Sequence, residues 1–305
     1  MYFYLQLFAL TFADIDRNDG ILPIPSPIVP DGKPKSYMGN DIFYRKRALK
    51  KMAKNGADLT GIKHFDQSIG SKRGLVEHEH WFETETINDE IKIILPWAFH
   101  HKFPRKEKVR AILEKMNRDL GCVANYEVTD LNHTTHPFGV LLTWGDFTGG
   151  GCWTTTGIAP GFVGDADVKM EDLGAPDTWQ LLSLDHSCDG TSEATVMHEL
   201  IHAWGFQHEH ARPDRTSFIH VDLENTDDDE QFIMLDDGTW HDSGFPYETQ
   251  SVMHYCSTCG TNGRGPVMTY YDGTFFDSGQ FMTTTDAMQI QWQYCRNTEW
   301  VSLML

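Results

Sequence analysis

The stretch HELIHAWGFQH, residues 198–208, gathers His198, Glu199, His202 and His208 within eleven residues. On a helix His198 and His202 are i and i+4, so their imidazoles lie one above the other on the same face. That spacing lets both reach one tetrahedral metal ion. Six residues separate His202 from His208, and a continuous helix would turn them to different faces. Gly205 removes the difficulty, because glycine tolerates positive φ and permits a sharp exit that returns His208 to the same point. Three histidines leave the fourth tetrahedral position open to water, which marks a catalytic rather than a structural zinc site. Glu199 follows the first ligand and projects beside the metal, placed to take a proton from the attacking water. The alternative is a set of polar histidines on the surface of a core helix. With 26 glycines and 15 histidines in 305 residues, the added Gly and third His match by chance at a rate of roughly 0.004, which weighs heavily against it.

The elements that must position these residues are legible nearby. Thr191 or Ser192 caps a helix through EATVMHELIHAW, and Glu193 is favourable in its first turn. Upstream, IKIILPWAF from residue 91 reads as a strand. In RKEKVRAILEKMNRDLG (105–121), Val109, Ile112, Leu113, Met116 and Leu120 recur at helical spacing on one face, with Gly121 as C-cap. GVLLTW (139–144) and WQLLSL (179–184) are short strand-like runs bounded by Gly, Pro and Asp. Downstream, SVMHY (251–255) offers Met253, whose flexible thioether suits an apolar floor beneath histidine ligands.

Composition narrows the class of partner and compartment. The chain is 40% hydrophobic, enough for one large domain or two small ones, and carries a net charge of −19. That balance argues against nucleic acid, which needs a basic patch where this chain has only short basic runs. Residues 2–13, YFYLQLFALTFA, are apolar but too short to span a bilayer. Thr11 and Ala13 have the small-residue spacing of a signal-peptidase site, so 1–13 reads as a signal peptide, with a buried N-terminal strand as the alternative. No other stretch is long and apolar enough to cross a membrane. Residues 14–36 are rich in Pro, Gly and Asp; 45–56, RKRALKKMAKNG, form a basic, helix-like patch; Lys72-Arg73 is a dibasic pair ahead of Gly74. Asn132-His133-Thr134 is a glycosylation sequon, consistent with secretion. Six cysteines in a secreted chain are expected to pair, in any of 15 ways.

The extended histidine motif with a downstream methionine turn is the metzincin signature. Within that group HELIHAWGFQHEHARPDR (198–215), SVMHY and GGGCWTTTG (149–157) resemble the astacins, over about residues 91–295. The resemblance implies an α+β, zincin-like fold: an upper subdomain with a twisted mixed sheet and two long helices, a lower irregular subdomain, and an active-site cleft between them. It implies an astacin-like zinc metalloendopeptidase holding one Zn(2+) per chain through His198, His202 and His208, with Glu199 as general base and Met253 in the Met-turn. By position Tyr255 is the tyrosine that ligates zinc at rest and swings to the oxyanion, a role suited to a phenol. Glu209 is the glutamate that meets the processed N-terminus. The family pattern pairs Cys122 with Cys295 and Cys152 with Cys188. Cys256 and Cys259 remain as CSTC, for which a local disulfide is expected rather than a redox or zinc motif.

The same resemblance organises the N-terminus. Tyr37-Met38-Gly39-Asn40-Asp41 is similar to a pro-segment motif, Phe-x-Gly-Asp, whose aspartate caps the zinc, with the aromatic changed and one Asn inserted. Asp41 is then the zymogen switch, residues 14–73 a propeptide cut after Arg73, and 74–305 the catalytic domain. The chain departs from the family at Thr216, where aspartate is usual, and in a longer stretch between Trp81 and Pro96; no further module is expected after Cys295. The expectation is a secreted, extracellular endopeptidase. It acts on protein or peptide substrates, is restrained by its own propeptide, and has no membrane span in mature form. A catalytically dead homologue serving as a binding protein is disfavoured by the retained Glu199, ligands and Tyr255. A structural zinc or thiol-redox protein is disfavoured by the open coordination position and the lack of a second CxxC.

Overall fold

The apolar runs IKIILPWAF, GVLLTW and WQLLSL join less apolar segments as strands of one mixed sheet, with buried residues pointing to both faces. In the computed structural model, described for residues 81, 83–131, 134–145, 148, 150–164, 166–235 and 244–295, they are β1 (Thr84–Ile87), β2 (Glu90–Phe99), β3 (Val123–Glu127), β4 (Val140–Trp144) and β5 (Gln180–Leu184). All described residues fall in one compact unit. The signal peptide, the propeptide with Asp41, the Lys72-Arg73 pair and the first two residues of the sequon, Asn132 and His133, lie outside the described residues. β1 pairs antiparallel with β2, whereas β3 and β4 pair with β2, and β5 with β4, in parallel. Ile93 pairs with both Thr84 and Val123, and Trp97 with both Glu127 and Val140. β1 and β4 therefore share one edge of the long β2, with β3 on the other.

Side-chain alternation divides the core in two. Leu95 and Trp97 of β2, Val140, Leu142 and Trp144 of β4, and Leu182 and Leu184 of β5 face a cluster shared with the helices. Ala98, Leu141 and Leu181 face the opposite way, against Trp153, Phe162, Met170, Leu173 and Trp179. The helices are α1 (Lys106–Asp119), α2 (Glu193–Ala203) and α3 (Thr284–Cys295). α1 buries Val109, Ile112, Leu113 and Met116, the stripe expected from the sequence. Gly121, just past its end, is left-handed at φ 66°. Beyond α2 regular structure becomes sparse: short 3-10 turns, then a two-stranded antiparallel sheet of β6 (Ile219–Val221) and β7 (Met268–Tyr270). A separate cluster there joins Ile219, Phe232, Tyr255, Cys259, Val267, Met268 and Phe276. The division into a sheet-and-helix part and an irregular part is the one expected. No helix among the described residues is long and apolar enough to cross a membrane.

Disulfides join Cys122 to Cys295, Cys152 to Cys188 and Cys256 to Cys259. The first ties the α1–β3 connection to the end of α3 across 173 residues of sequence. In the loop-entropy account a closure of that length contributes about 5 kcal/mol. The second clips the GGGCWTTTG segment to the turn before α2, where Trp153 pairs antiparallel with Ser183 of β5. The end of α2 is fastened from two directions: Trp81 Nε1 donates to the Ala203 carbonyl at 2.7 Å and the Tyr294 hydroxyl to the Trp204 carbonyl at 2.7 Å. Both carbonyls are among those a helix end leaves without an internal partner.

Candidate metal centre

α2 starts at Ser192, whose hydroxyl accepts from Thr195 N–H at 3.1 Å. It ends in a tight left-handed turn: Gly205, φ 105°, donates to His202 O at 2.8 Å, and Phe206 donates to Ile201 O at 3.2 Å. These 5→2 and 6→1 bonds form a Schellman motif, which needs a residue without a Cβ at the left-handed position. The turn also serves the site, because the Phe206 carbonyl it exposes accepts from His202 Nδ1 at 2.7 Å.

His198, His202 and His208 are fully buried and converge. Their Nε2 atoms stand 3.0 Å (198–202), 3.2 Å (202–208) and 3.3 Å (198–208) apart. His198 Nδ1 donates to the Val252 carbonyl at 2.7 Å, as His202 Nδ1 does to Phe206. Carbonyls only accept, so both rings are held with the proton on Nδ1 and a lone pair on Nε2. Tetrahedral zinc with Zn–N bonds near 2.0–2.1 Å requires nitrogens about 3.3 Å apart. The triangle has that size, and converging lone pairs at that distance repel unless a cation lies among them. The three residues thus fit a single metal ion by both geometry and donor chemistry, and they form the three-residue His group found among the described residues. Glu199 is buried next to the first ligand on α2.

The methionine turn is fastened to the site by main-chain bonds. The Val252 carbonyl orients His198, and the Met253 carbonyl accepts from Glu209 N at 2.8 Å. What fastens the turn itself is Asp286, which the sequence reading passed over. Asp286 closes a reciprocal cap on α3: Thr283 N donates to Asp286 Oδ2 at 2.9 Å, and Asp286 N donates to Thr283 Oγ1 at 3.1 Å. The same carboxylate accepts from Ser251 Oγ at 2.5 Å and Val252 N at 3.2 Å. One residue, Val252, therefore receives Asp286 on its nitrogen and His198 on its carbonyl oxygen. Thr283-x-x-Asp286 was readable as a capping box; its reach to residue 251 was not.

Glu209 is buried, and its Oε1 accepts from Arg212 Nη1 at 3.0 Å and Glu248 N at 3.0 Å. Burial pushes its carboxyl up to about 7 despite the opposing pull of Arg212. Arg212 also holds Asp214 through Nε at 2.9 Å and Nη2 at 2.8 Å. The partner expected of Glu209, the amine of Gly74, lies outside the described residues. Thr216 is exposed in the turn Pro213–Ser217.

Tyr255 is fully buried, its ring centroid 4.4 Å from that of His208 and 4.5 Å from that of His210. Its hydroxyl donates to Gln231 Oε1 at 3.2 Å. His254, the preceding residue, donates from Nδ1 to the Tyr255 carbonyl at 2.7 Å and accepts at Nε2 from the Tyr247 hydroxyl at 2.6 Å. That pattern requires a neutral ring, and burial holds the His254 imidazole down to about 4.

Residues 164–295 match the sequence profile of the Astacin peptidase family. The chain is 32% identical over 169 residues to zinc metalloproteinase nas-27 of Caenorhabditis elegans, covering 54% of this chain and 33% of that protein. It is 36% identical over 109 residues to zinc metalloproteinase nas-7 of the same organism, covering 35% and 28%. With human meprin A subunit beta it shares 32% over 144 residues, 46% of this chain and 18% of that one. The matches thus span about a third or less of these relatives. Among solved structures, high choriolytic enzyme 1, a hatching enzyme zinc-protease of the medaka Oryzias latipes, aligns with TM-score 0.54 at 20% identity over 71% of this chain and 94% of that one, a likeness of fold.

Two outcomes test the supports of this site. Asp286→Ala is expected to lower zinc affinity about ten- to hundredfold, as loss of an outer partner of a metal ligand does, in a competitive chelator titration. Unchanged affinity would show that the Val252 backbone is held without the carboxylate. The second concerns pH. His254 titrates near 6.5 unfolded and about 4 folded, so the unfolded chain binds the extra proton. Its contribution is whole above pH 6.5 and is lost as pH falls, by about 3 kcal/mol once below 4. Urea midpoints at pH 7.5 and 4.5 should diverge more for the parent than for His254→Gln; equal divergence would clear His254 of the effect.

The convergent histidine nitrogens and the buried glutamate beside them lie in the segment, residues 164–295, that matches the Astacin profile, so site and sequence agree in their likeness to that family.

Proposed function

We propose that the protein is a secreted zinc-dependent endopeptidase that hydrolyses internal peptide bonds of proteins and peptides. The observation that carries this reading is the 3.0–3.3 Å triangle of Nε2 atoms from His198, His202 and His208. Zinc bound there supplies Lewis acidity and makes water a nucleophile at neutral pH. Glu199 accepts the proton of the attacking water and returns it to the leaving amine nitrogen. The Tyr255 phenol donates a hydrogen bond to the carbonyl oxygen as negative charge develops there. Met253 and the Val252 carbonyl keep the ligand rings in place, and Glu209 is reserved for the amine of the processed N-terminus. Three disulfides support the reading of an extracellular protein.

The zinc-loaded, processed protein should cleave an internally quenched peptide and lose that activity to a chelator. Glu199→Gln should retain one zinc per chain and lose activity by at least a hundredfold, since general-base catalysis contributes about 10²–10⁴. A variant that cleaves as fast as the parent would remove Glu199 from the mechanism.

Residues 1–13 as signal peptide, 14–73 as propeptide and 74–305 as catalytic domain complete the proposal. The Asp41 carboxylate, tethered and hence at high effective concentration, competes for the open metal position in the uncut precursor. Asp41→Ala in the uncut chain should raise peptidase activity without cleavage after Arg73. Activation by alanine at Asp19 or Asp31 instead, with Asp41→Ala fully latent, would reassign the switch.

A further inference from the structure

Among the described residues, three hydrogen bonds hold Tyr255. Its N–H donates to His210 Nδ1 at 3.3 Å, its carbonyl accepts from His254 at 2.7 Å, and its hydroxyl donates to Gln231 Oε1 at 3.2 Å. His210 closes the loop, donating from Nε2 to the Gln231 carbonyl at 3.0 Å. The ring that holds the tyrosine backbone therefore also holds the residue that meets the tyrosine hydroxyl. His210 is fully buried, and its two bonds set its tautomer: Nδ1 accepts from Tyr255 N and Nε2 donates to the Gln231 carbonyl. Gln231 sits in the turn Asp229–Phe232 and is 5% exposed. Its Nε2 has no hydrogen-bond partner among the described residues.

That last fact separates a packing role from a chemical one. A buried amide with an unmet N–H2 is costly. Leucine or methionine would fill the same volume beside Phe232 without that cost. The feature of Gln231 that an apolar side chain cannot supply is the oxygen on the Tyr255 hydroxyl.

We propose that Gln231 is a positioning residue for Tyr255: its side-chain oxygen receives the phenol away from the metal position and fixes where it stands before the hydroxyl turns to the substrate's carbonyl oxygen. This rests on the reading of Tyr255 as oxyanion donor. The strengths of the two bonds favour the exchange. The bond to Gln231 is neutral and long, whereas a hydrogen bond to an oxyanion is charge-assisted and about twice as strong. Gln231 therefore orients the phenol without trapping it. His210 and His254, holding the main chain on either side, confine the movement to the side chain.

The test is a double-mutant cycle in the zinc-loaded protein with one quenched peptide. Gln231→Met, close in volume and lacking the oxygen, should lower kcat about tenfold and leave KM within about twofold; the estimate follows from loss of an oriented hydrogen-bond donor. In the Tyr255→Phe background the same change should cost nothing further, because the hydroxyl it orients is gone. Thermal unfolding of the metal-free proteins gives a second readout: the combined Tm shift of Gln231→Met and Tyr255→Phe should be smaller than the sum of the two alone. Gln231→Asn, which withdraws the carboxamide by one methylene, repeats both measurements if the methionine variant does not fold. A kcat loss of equal size in both backgrounds, no kcat loss at all, or additive Tm shifts overturns the proposal while the peptidase reading stands. A zinc-loaded parent that cleaves none of a peptide library overturns the peptidase reading itself, and this proposal with it.

Discussion

Three imidazole nitrogens within 3.3 Å of one another, each ring buried, is an arrangement that resists its own assembly. Two of the rings are fixed with lone pairs inward by giving their protons to the Val252 and Phe206 carbonyls, so in the absence of a cation the nitrogens repel in a medium with little water to screen them. Much of the surrounding structure can be understood as holding that triangle closed. The Schellman turn at Gly205 both ends α2 and presents the Phe206 carbonyl to His202. The methionine turn presents Val252 to His198. Both acceptors are main-chain atoms, so the orientation of each ring depends on backbone placement, and the backbone is in turn secured by Asp286, Trp81 and Tyr294.

This division explains what could be read in advance. The ligand set was legible because its information is local: i,i+4 spacing on one helix, then a glycine and a third histidine within six residues. α1 and the buried strands were legible for a similar reason, through an apolar stripe at 3.6 residues or a continuous apolar run. β1 was not, since TETI alternates between exposed and half-buried and says little by composition. α3 was missed because TTDAMQIQWQYC has no continuous apolar stripe; it buries Asp286, Ala287, Ile290, Gln293 and Tyr294, a mixed set. The irregular half has 3-10 turns with no period to detect. Asp286 and Gln231 looked like ordinary polar residues. Their importance lies in contacts to Ser251 and Tyr255, 35 and 24 positions away.

The two halves solve the problem of buried polarity differently. On the side of the helices the Nδ1 atoms of His198 and His202 bond main-chain carbonyls, which carry no net charge and have no protonation state to lose, and the one carboxylate behind them, Asp286, acts through the Val252 backbone. In the irregular half the supports are ionisable: Glu209 with Arg212 and Asp214, and the neutral rings of His210 and His254. Burial drives Glu209 and the two histidines toward neutrality, upward for the carboxyl and downward for the rings. The Glu209 carboxyl shows which effect wins. Even with Arg212 bonded to it, desolvation outweighs the ion pair, as expected when both partners leave water.

It follows that the groups around Tyr255 are suited to a different task from those around the ligands. A metal ligand must not move, and main-chain acceptors on fastened segments suit that demand. A hydroxyl that passes from one partner to another needs an intervening bond weak enough to surrender. The 3.2 Å contact to a neutral carboxamide meets that condition, where a carboxylate in the same place would hold the phenol more tightly. Tyr255 is fully buried, as the ligands are, so burial alone does not separate fixed from movable side chains here. The distinction lies in the partners: both ends of the tyrosine's backbone are held by rings that burial keeps neutral, and its hydroxyl by an amide that can release it.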